Sequence, residues 1–331
     1  MGAELRLAFV GCGAIADWHW NAIAAAAPRI RLTACVDPSR ERAARLAAKA
    51  GAQTFSSLAE AVKARAADAV AILVPHHLHE PIAREALGAG LHVLLEKPMA
   101  TTIAGCARIL AAARNTGTVF MLAENAQYWP GVLRAKELLD SGAIGDLVTV
   151  RAWSCTPPAG RFFEGERPWR LSVADAGGGV AVDSCSHFLR PLRMWCGEIA
   201  EVVATVTRDP AMEVESVCRA LCRFTSGLVG SFDALLATLP GTAVPRFQLT
   251  GRRGEIVIDG AEVRLYDERG GPGTVVGRSD YMASYEGEWR AFEVAVLDGT
   301  PLAAPPEHAA GELRAALAMY RSAVSRQWEA V

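Results

Sequence analysis

Short apolar runs alternate with amphipathic segments through the first 123 residues. Five runs, among them "LRLAFV" and "DAVAILV", are almost continuously apolar and predict buried strands, whereas the segments between them carry apolar residues at helical spacing. Strands that are apolar along their whole length are typical of a parallel sheet covered by helices on both faces. The predicted strands lie at 5–10, 31–36, 68–74, 91–95 and 119–123.

The pattern changes after residue 123, where long segments alternate apolar and polar residues. Segments such as "EVVATVT" and "EVRLYD" have the period of half-buried strands, and their short connections favour hairpins in a mostly antiparallel sheet. The chain therefore divides into an α/β domain over 1–123 and an α+β domain over 124–331. Helices of the second domain are predicted at 131–141, directly after glycines 177–179, and near 284–298 and 306–328.

Composition and charge exclude several classes of protein. The 331 residues are 51% hydrophobic with a formal net charge of −2, and no Lys/Arg run occurs, so we expect no nucleic-acid partner. No apolar run approaches the ~18 residues of a membrane span, and the start of the chain lacks the features of a signal peptide. The eight cysteines form no C-x-x-C pair. We therefore expect a soluble cytoplasmic protein without disulfides, with no membrane as partner.

A glycine-rich turn follows the first strand and opens the first helix. In "FVGCGAIA", Gly11 would allow a tight turn, Gly13 a close approach of the backbone to a pyrophosphate, and Ala16 close packing of helix on sheet. The N–H groups at the helix start would face the phosphates. Asp37 ends the next strand and would accept hydrogen bonds from ribose hydroxyls. This combination predicts NAD binding in preference to a structural glycine turn, and Arg40 nearby keeps NADP possible.

Glu96, Lys97 and Pro98 follow the fourth predicted strand. A strand end can carry a solvated charge pair before a turn, but ligands of parallel sheets bind outside the carboxyl ends of the strands. A lysine there can hydrogen-bond a substrate hydroxyl and assist its deprotonation as hydride leaves. We also expect the Lys97–Pro98 bond to be cis, because the trans preference before proline is only ~0.5–1 kcal/mol and a tightly packed turn can reverse it.

Asp183 and His187 in "GGGVAVDSCSH" are four residues apart and share one face of the predicted helix. A lone histidine on an apolar helix is usually a buried core residue. An acid one turn earlier, behind three glycines that can admit a ligand, favours a functional role instead. His187 suits a general base near neutral pH.

Together these pieces resemble one family of oxidoreductases. "GCGAIADWH", "VDPSRERA", "VPHHLH", "EKP" and "GGGVAVDSCSH" follow the order of the glucose–fructose oxidoreductase / inositol dehydrogenase (Gfo/Idh/MocA) family and span almost the whole chain. The resemblance implies an N-terminal Rossmann domain that binds NAD or NADP, and a C-terminal domain with an open, mostly antiparallel sheet. It also implies a homodimer or homotetramer that pairs through the outer face of this sheet.

The resemblance further implies an activity and roles for single residues. Hydride would pass between the nicotinamide and a secondary hydroxyl of a sugar, sugar derivative or cyclitol. Lys97 matches the catalytic lysine, His187 the acid/base, and Asp183 a residue that binds or orients substrate. The residues expected at the cofactor are Gly11, Gly13, Ala14, Ile15, Asp37, Arg40, Pro75, His79, Glu96, Lys97 and Asn125.

Two positions depart from the family pattern. Cys185 stands where the family commonly has glycine, and Arg190 where it has aspartate or asparagine. Arg190 would either alter the charge preference for substrate or pair with a surface carboxylate. Substrate identity therefore does not follow from the resemblance.

Several aromatic and basic residues have two interpretations. Trp153, Trp169 and Trp195 are candidates for contact with a sugar face, and core packing is the equal alternative for Trp195. Trp169 and Arg170, in an irregular segment before the glycines, are candidates for substrate or nicotinamide contact. The histidines at 76, 77 and 79 have no Cys or acid pair at suitable spacing, so we predict no metal site.

Two other functions are compatible with the same residues. A redox-neutral epimerase, lyase or glycoside-cleaving enzyme would retain NAD and oxidise its substrate transiently. A ligand-binding or regulatory protein would keep the fold without catalysis, although the complete set of Lys97, Asp183 and His187 argues against it. Retained NAD without steady NADH release would favour the redox-neutral enzyme.

Overall fold

The computed structural model describes residues 3–157, 163, 168–184, 186–237 and 246–331. The chain forms two compact units. The first contains the chain up to Glu124 together with Tyr285–Ala310, and the second contains Asn125–Ser284 and Gly311–Val331. Each unit has its own sheet.

The first unit is built on a parallel sheet of six strands, as the sequence predicts. Its strands are β1 (Leu5–Val10), β2 (Ile30–Val36), β3 (Gln53–Phe55), β4 (Ala69–Ile72), β5 (His92–Glu96) and β6 (Phe120–Ala123). They pair in the order β3-β2-β1-β4-β5-β6, so the strand order reverses between β1 and β4. The predicted pattern lacks only β3, whose three residues are not apolar enough to give a buried-strand signal.

Helices connect these strands, and local sequence starts three of them. Ser39, Ser57 and Thr102 each accept a hydrogen bond from the backbone N–H three residues later, which satisfies a free donor of the first turn. The helices are α1 (Ala14–Ala26), α2 (Arg40–Ala50), α3 (Leu58–Lys63), α4 (His79–Gly88) and α5 (Ile103–Arg114), with a 3₁₀ turn at His76–Leu78.

The second unit contains a nine-stranded sheet. Its strands are β7 (Leu147–Thr156), β8 (Ile199–Thr207), β9 (Val217–Phe224), β10 (Val229–Leu236), β11 (Phe247–Gly251), β12 (Gly254–Asp259), β13 (Glu262–Asp267), β14 (Thr274–Arg278) and β15 (Glu329–Ala330). The order is β14-β13-β12-β11-β7-β10-β9-β8-β15. All neighbours are antiparallel except β7 and β10, so the predicted mostly antiparallel sheet is confirmed.

The remaining helices are α6 (Pro130–Asp140), α7 (Val173–Ala176), α8 (Ser186–Cys196), α9 (Tyr281–Asp298) and α10 (Ala310–Ser325), with 3₁₀ turns at Asn125–Tyr128, Trp169–Leu171 and Pro306–Ala309. Helix α8 covers one face of the large sheet. Phe188 on this helix stacks on Phe247 of β11, with ring centroids 5.2 Å apart, and Phe247 lies beside the buried Ala152 of β7. The core of this unit therefore lies between α8 and the sheet.

Most of α9 belongs to the first unit, whereas the sequence pattern assigns all residues after 123 to the second. The reason is aromatic packing. Trp289 stacks on Phe9 of β1 with ring centroids 6.2 Å apart, and it also packs edge-on against Phe292 of the same helix. All three rings are fully buried. A helix late in the chain thus completes the core of the N-terminal sheet, a long-range contact that no local pattern reveals.

Two further features concern membrane-spanning helices and cysteines. Within the described ranges, no helix has the length and apolarity needed to cross a membrane. The cysteines are free thiols in the described part of the chain, which omits Cys185.

Candidate functional site

The glycine turn lies where the strand order of the first sheet reverses. Gly11 has a φ of +96°, and a Cβ at this position would lie 2.4 Å from the backbone oxygen of Leu73, so both conformation and space require glycine. Gly13 is the N-cap of α1, no side chain caps this helix, and a Cβ there would meet nothing within 4 Å. The backbone around Ala14 and Ile15 is therefore open to an anion, and the turn fits a dinucleotide phosphate.

Asp37 organises the turn from the end of β2. Its buried carboxylate accepts the backbone N–H of Cys12 at 2.9 Å and that of Ser39 at 2.8 Å. Arg42 adds an ion pair at 3.1 Å. The sequence pointed to Arg40 as the nearby base, but Arg40 is exposed at the start of α2 and it is Arg42 that reaches the carboxylate. Side-chain direction on the first turn of α2 decides this, and sequence distance alone does not show it.

A second arginine of α2 supports the turn and was missed by the sequence reasoning. Arg45 donates to the backbone oxygen of Cys12 at 3.1 Å and to Asp17 of α1 at 2.7 Å. Lys49, one helical turn later, lies 2.9 Å from the same carboxylate. The only available signal was the spacing of basic residues along α2, which is also typical of a solvated helix face.

The residues after β4 differ in their availability to a ligand. Pro75 precedes the 3₁₀ turn and acts as its N-cap. His79 is fully buried, with Nδ1 2.7 Å from the backbone oxygen of Pro98 and Nε2 2.9 Å from that of Val74. Burial lowers the pKa of His79, and the two carbonyl contacts oppose this shift. Since both ring nitrogens face backbone carbonyls, the expected cofactor contact of the His79 side chain is not supported; the side chain ties the end of β4 to the segment after β5.

The Glu96-Lys97-Pro98 segment leaves the carboxyl end of β5. The Lys97–Pro98 bond is cis, which confirms the prediction made from sequence. The Glu96 side chain is largely buried, with Oε1 2.9 Å from Nε2 of His19, while Oε2 accepts the backbone N–H of Lys97 at 3.0 Å. Lys97 is half-buried at the same sheet edge as the glycine turn, because both follow the carboxyl ends of parallel strands.

In the second unit, Asp183 and His187 do not share one helix. Helix α8 begins at Ser186, and the preceding residues from Val180 to Ser184 form turns, in which the Asp183 N–H donates to the Gly179 oxygen at 3.0 Å. The prediction of a helix opened by the glycines is therefore wrong at its start. His187 stands in the first turn of α8, half-buried.

The glycine run has a packing role that the sequence did not show. A Cβ on Gly178 would lie 2.4 Å from the Tyr320 hydroxyl, and one on Gly179 would lie 2.2 Å from the backbone oxygen of Glu215. The Glu215 carboxylate accepts the N–H groups of Gly179 at 2.7 Å and Ala181 at 2.9 Å, and the Tyr320 hydroxyl donates to it at 2.6 Å. These two glycines thus admit neighbouring parts of the chain, not a ligand as we had inferred.

Three predicted residues meet in front of this turn. Arg170 donates from Nε to Asp183 at 3.1 Å, and its guanidinium lies 4.2 Å from the ring centroid of Trp169. His187 contacts another aromatic residue, Tyr281, with ring centroids 6.4 Å apart. Tyr281 was not selected from the sequence, because an isolated tyrosine in a helix gives no signal.

Other candidates lie elsewhere or are engaged in packing. Trp153 points away from α8, since Ala152 and Ser154 are the buried neighbours on the α8 side of β7. Trp195 packs on Phe247, in agreement with the core alternative. Asn125 is buried and donates to the Ser284 hydroxyl at 2.8 Å.

Arg190 is also buried, and it pairs with Glu312 at 2.9 Å. Its partner is an interior carboxylate, so neither alternative for Arg190, a substrate contact or a surface ion pair, describes it. Cys185, the other departure from the family pattern, lies outside the described residues. Among the described residues, no cluster of three or more His, Cys, Asp or Glu side chains could hold a metal ion.

Several known proteins are similar to this chain in sequence or structure. The dTDP-3,4-didehydro-2,6-dideoxy-alpha-D-glucose 3-reductase of Streptomyces violaceoruber is 34% identical over 206 residues, which cover 62% of this chain and 58% of that protein. Inositol 2-dehydrogenase of Corynebacterium glutamicum is 32% identical over 165 residues, 49% of each chain. The crystal structure of GenD2 from gentamicin A biosynthesis in complex with NAD superposes with a TM-score of 0.86 at 28% identity, and covers 100% of this chain and 97% of that one.

Two family models match the chain in succession. The chain aligns with only part of its curated relatives. Alignments with four of them, including the two named above, span between 41% and 58% of the length of those proteins. The Gfo/Idh/MocA model described as an oxidoreductase family with an NAD-binding Rossmann fold matches residues 5–124, and the model of the Gfo/Idh/MocA C-terminal domain matches residues 132–257. Since these two matches cover all strands of the first sheet and β7 to β11 of the second in the order of the family, the chain belongs to the Gfo/Idh/MocA family of oxidoreductases.

Proposed function

We propose that the protein is an NAD-dependent dehydrogenase that oxidises a secondary hydroxyl of a sugar, sugar derivative or cyclitol. The proposal rests mainly on the residues at one edge of the first sheet. The glycine turn follows β1 and Lys97 follows β5, on either side of β4, where the strand order has just reversed. Ligands of such sheets bind outside the carboxyl ends of the strands at this point.

The first unit supplies groups suited to each part of the cofactor. Backbone N–H groups at the start of α1, around Ala14, would hold the pyrophosphate, and Gly13 leaves room for its approach. Asp37 would accept the hydroxyls of the adenosine ribose and repel a 2′-phosphate. Bound nicotinamide would supply the hydride acceptor.

Two side chains would carry out the proton chemistry, and a third would orient the substrate. The Lys97 ammonium would hold the reacting hydroxyl and favour its alkoxide by charge. The His187 imidazole would take the hydroxyl proton as a general base. Asp183, paired with Arg170, would orient the other hydroxyls of the substrate, since a carboxylate and a guanidinium together can accept and donate.

The names of the relatives support the substrate class. One reduces a keto group of a nucleotide-linked sugar and another is named for the oxidation of inositol. Both names describe carbon centres that interconvert between a secondary hydroxyl and a ketone, the conversion for which Lys97 and His187 are suited.

The proposal is tested with a panel of sugars, sugar acids and inositols, each mixed with NAD and scored by NADH absorbance. We expect NADH formation with at least one member, and loss of this activity in Lys97→Ala. The control is Lys63→Ala, a substitution at the end of α3 away from the glycine turn, which should retain activity. If a substrate is converted while NAD stays tightly bound and no NADH is released, the protein is a redox-neutral enzyme and the proposed dehydrogenase function is wrong.

A further inference from the structure

A chain of buried hydrogen bonds in the first unit ends at Lys97. The indole nitrogen of Trp289 on α9 lies 3.0 Å from Nδ1 of His19 on α1. Nε2 of His19 lies 2.9 Å from Glu96 Oε1, and Glu96 Oε2 accepts the backbone N–H of Lys97 at 3.0 Å. Trp289 and His19 are completely buried. The reaction outlined above assigns no role to either residue.

The direction of each bond follows from the chemistry of the donors. An indole N–H only donates, so Nδ1 of His19 must accept and cannot carry a proton. The ring proton is therefore on Nε2, which donates to the Glu96 carboxylate. His19 is a neutral imidazole of one tautomer, selected by a residue that lies 270 positions later in the chain.

A second acidic residue lies close to His19. Glu288 on α9 is completely buried, with Oε1 3.9 Å from Nδ1 of His19, and the Tyr285 ring lies edge-on at 5.2 Å. Burial, and after it the charges of Glu96 and Glu124, raise the pKa of Glu288 well above its usual range, which favours the protonated form of this neighbour. Glu96 is thus the carboxylate that faces His19, and the Trp289 N–H blocks the nitrogen that would accept a second proton.

We propose that Trp289 and His19 are positioning residues that orient the Glu96 carboxylate and, through it, the backbone of Lys97. Both carboxylate oxygens then receive an N–H, one from His19 and one from Lys97, which leaves Glu96 a single orientation. On the other side of Lys97, the backbone oxygen of Pro98 lies 2.7 Å from His79. Lys97 is therefore held between two residues that are each fixed by a buried histidine. An effect of Trp289 and His19 on catalysis rests on the proposed function of Lys97. The tautomer of His19 is independent of that function.

The tautomer is tested directly by ¹⁵N NMR of the histidine rings. In the unmodified protein, we expect Nε2 of His19 to have the ¹⁵N shift of an N–H and Nδ1 to have the shift of a lone pair. In Trp289→Phe, Nδ1 loses its donor, so a fraction of His19 should adopt the other tautomer and both shifts should move. Two N–H shifts in the unmodified protein, or an identical spectrum in Trp289→Phe, would overturn the proposal.

Kinetics on a confirmed substrate test the positioning role. His19→Leu removes the donor to Glu96 and should lower kcat by up to ~10²-fold, the loss expected when a catalytic group is misplaced by about 1 Å. His19→Gln keeps an N–H donor and should restore most of kcat. Trp289→Phe should lower kcat in proportion to the fraction of the other His19 tautomer that NMR detects, because that tautomer cannot donate from Nε2 to Glu96.

A cavity control separates positioning from loss of stability. Phe292→Leu removes a buried aromatic ring that packs on Trp289 but forms none of the hydrogen bonds in the chain, so it should lower Tm while leaving the His19 shifts and kcat unchanged. Equal kcat in His19→Leu and the unmodified protein, or an equal loss of kcat in Phe292→Leu, would contradict the proposal. If no substrate is found, the proposed dehydrogenase function is refuted. The NMR result would still show which tautomer His19 adopts.

Discussion

Asp37 holds the fold together at the place where we propose that it also binds the cofactor. Its carboxylate already accepts N–H groups from Cys12 and Ser39 and faces Arg42, so it fixes the glycine turn before any ligand arrives. Arg42 offsets part of its charge. We therefore expect the selectivity between NAD and NADP to depend on the pair and not on the carboxylate alone.

We expect Asp37→Ser to weaken NAD binding about tenfold or more, because a hydrogen bond to a charged group contributes ~1.5–3 kcal/mol and ~1.4 kcal/mol is a factor of ten. NADP binding should weaken less. Fluorescence titration with both reduced cofactors measures this change. In the matched control Arg42→Met the carboxylate stays, so NAD binding should persist while NADP binding declines. Tighter binding of NADP than NAD by the unmodified protein would refute the assignment.

The second residue-scale prediction concerns the proton transfer. His187→Ala should reduce kcat by ~10²–10⁴-fold with little change in NAD affinity, since a general base acts on the reacting hydroxyl. Lys97→Ala should also lower kcat, and the double variant should lose less than the product of the two, because both residues would act on one proton transfer. Steady-state kinetics with NAD affinity measured separately decides this. Near-normal turnover in His187→Ala would assign the base to another group.

At the level of elements, the segment before α8 depends on close contacts between distant parts of the chain. Gly177 ends α7 with a φ of +80°, and the two glycines that follow pack against Tyr320 of α10 and Glu215 before β9. The half-buried Tyr320 hydroxyl donates to the Glu215 carboxylate, and loss of solvent together with this charge raises the pKa of the tyrosine. The turn that carries Asp183 is thus placed by two elements that come later in the sequence.

We expect Gly179→Ala to destabilise the second unit by ~1–3 kcal/mol, the usual cost of overpacking, because the new methyl would meet backbone and cannot be relieved by a side-chain rotation. The matched control is Gly88→Ala at the end of α4, where a Cβ meets nothing within 4 Å; it should be neutral or slightly stabilising. Thermal unfolding measures both. If the two variants unfold at the same temperature, the close approach of Glu215 does not constrain the turn.

At the level of the whole molecule, the two compact units are not continuous in sequence. The chain forms the first unit, then most of the second, and returns to the first with Tyr285–Ala310. This return brings Glu288 into a position where it is completely buried, and neither of its oxygens has a hydrogen-bond partner in the described structure. An acid in such a place affects stability as a function of pH.

We expect Glu288→Gln to raise Tm at about pH 7–8 and to have no effect near pH 4.5, the ordinary pKa of a glutamate. The folded protein keeps a proton that the unfolded chain releases above this pH, so stability falls as pH rises towards the folded pKa, by up to ~1.4 kcal/mol per pH unit. Glutamine removes this dependence. Thermal unfolding across pH measures it, with Glu286→Gln on the same helix as control. An unchanged slope in Glu288→Gln would mean that Glu288 is ionised in the fold.

We also propose that the protein is a homodimer or homotetramer that pairs through the outer face of the large sheet. Leu221 of β9 lies on this face, 45% exposed, with Val203 of β8 and Ser231 of β10 as its cross-strand neighbours. Light scattering after gel filtration should show an oligomer, and Leu221→Lys should shift it towards a monomer by placing a charge in the interface. A monomer in the unmodified protein would exclude the proposal.

Several features of this protein follow from local sequence alone. The five apolar strands of the first unit, the position of the glycine turn, the antiparallel pattern of the second sheet and the cis Lys97–Pro98 bond were all predicted. These features depend on neighbouring residues, because the period of apolar residues, the flexibility of glycine and the low trans preference before proline act over a few positions. Lys97 was placed correctly at a sheet edge for the same reason.

Tertiary structure decided the features that join distant residues. It placed Arg42 and not Arg40 beside Asp37, packed the glycine run against Glu215 and Tyr320, and buried Arg190 with Glu312. It also returned Trp289 to the first unit, where its N–H selects the tautomer of His19. The physical reason is the same in each case. Hydrogen bonds and steric contacts reach only a few ångströms, so their partners are set by how the chain folds back on itself and not by their separation along it.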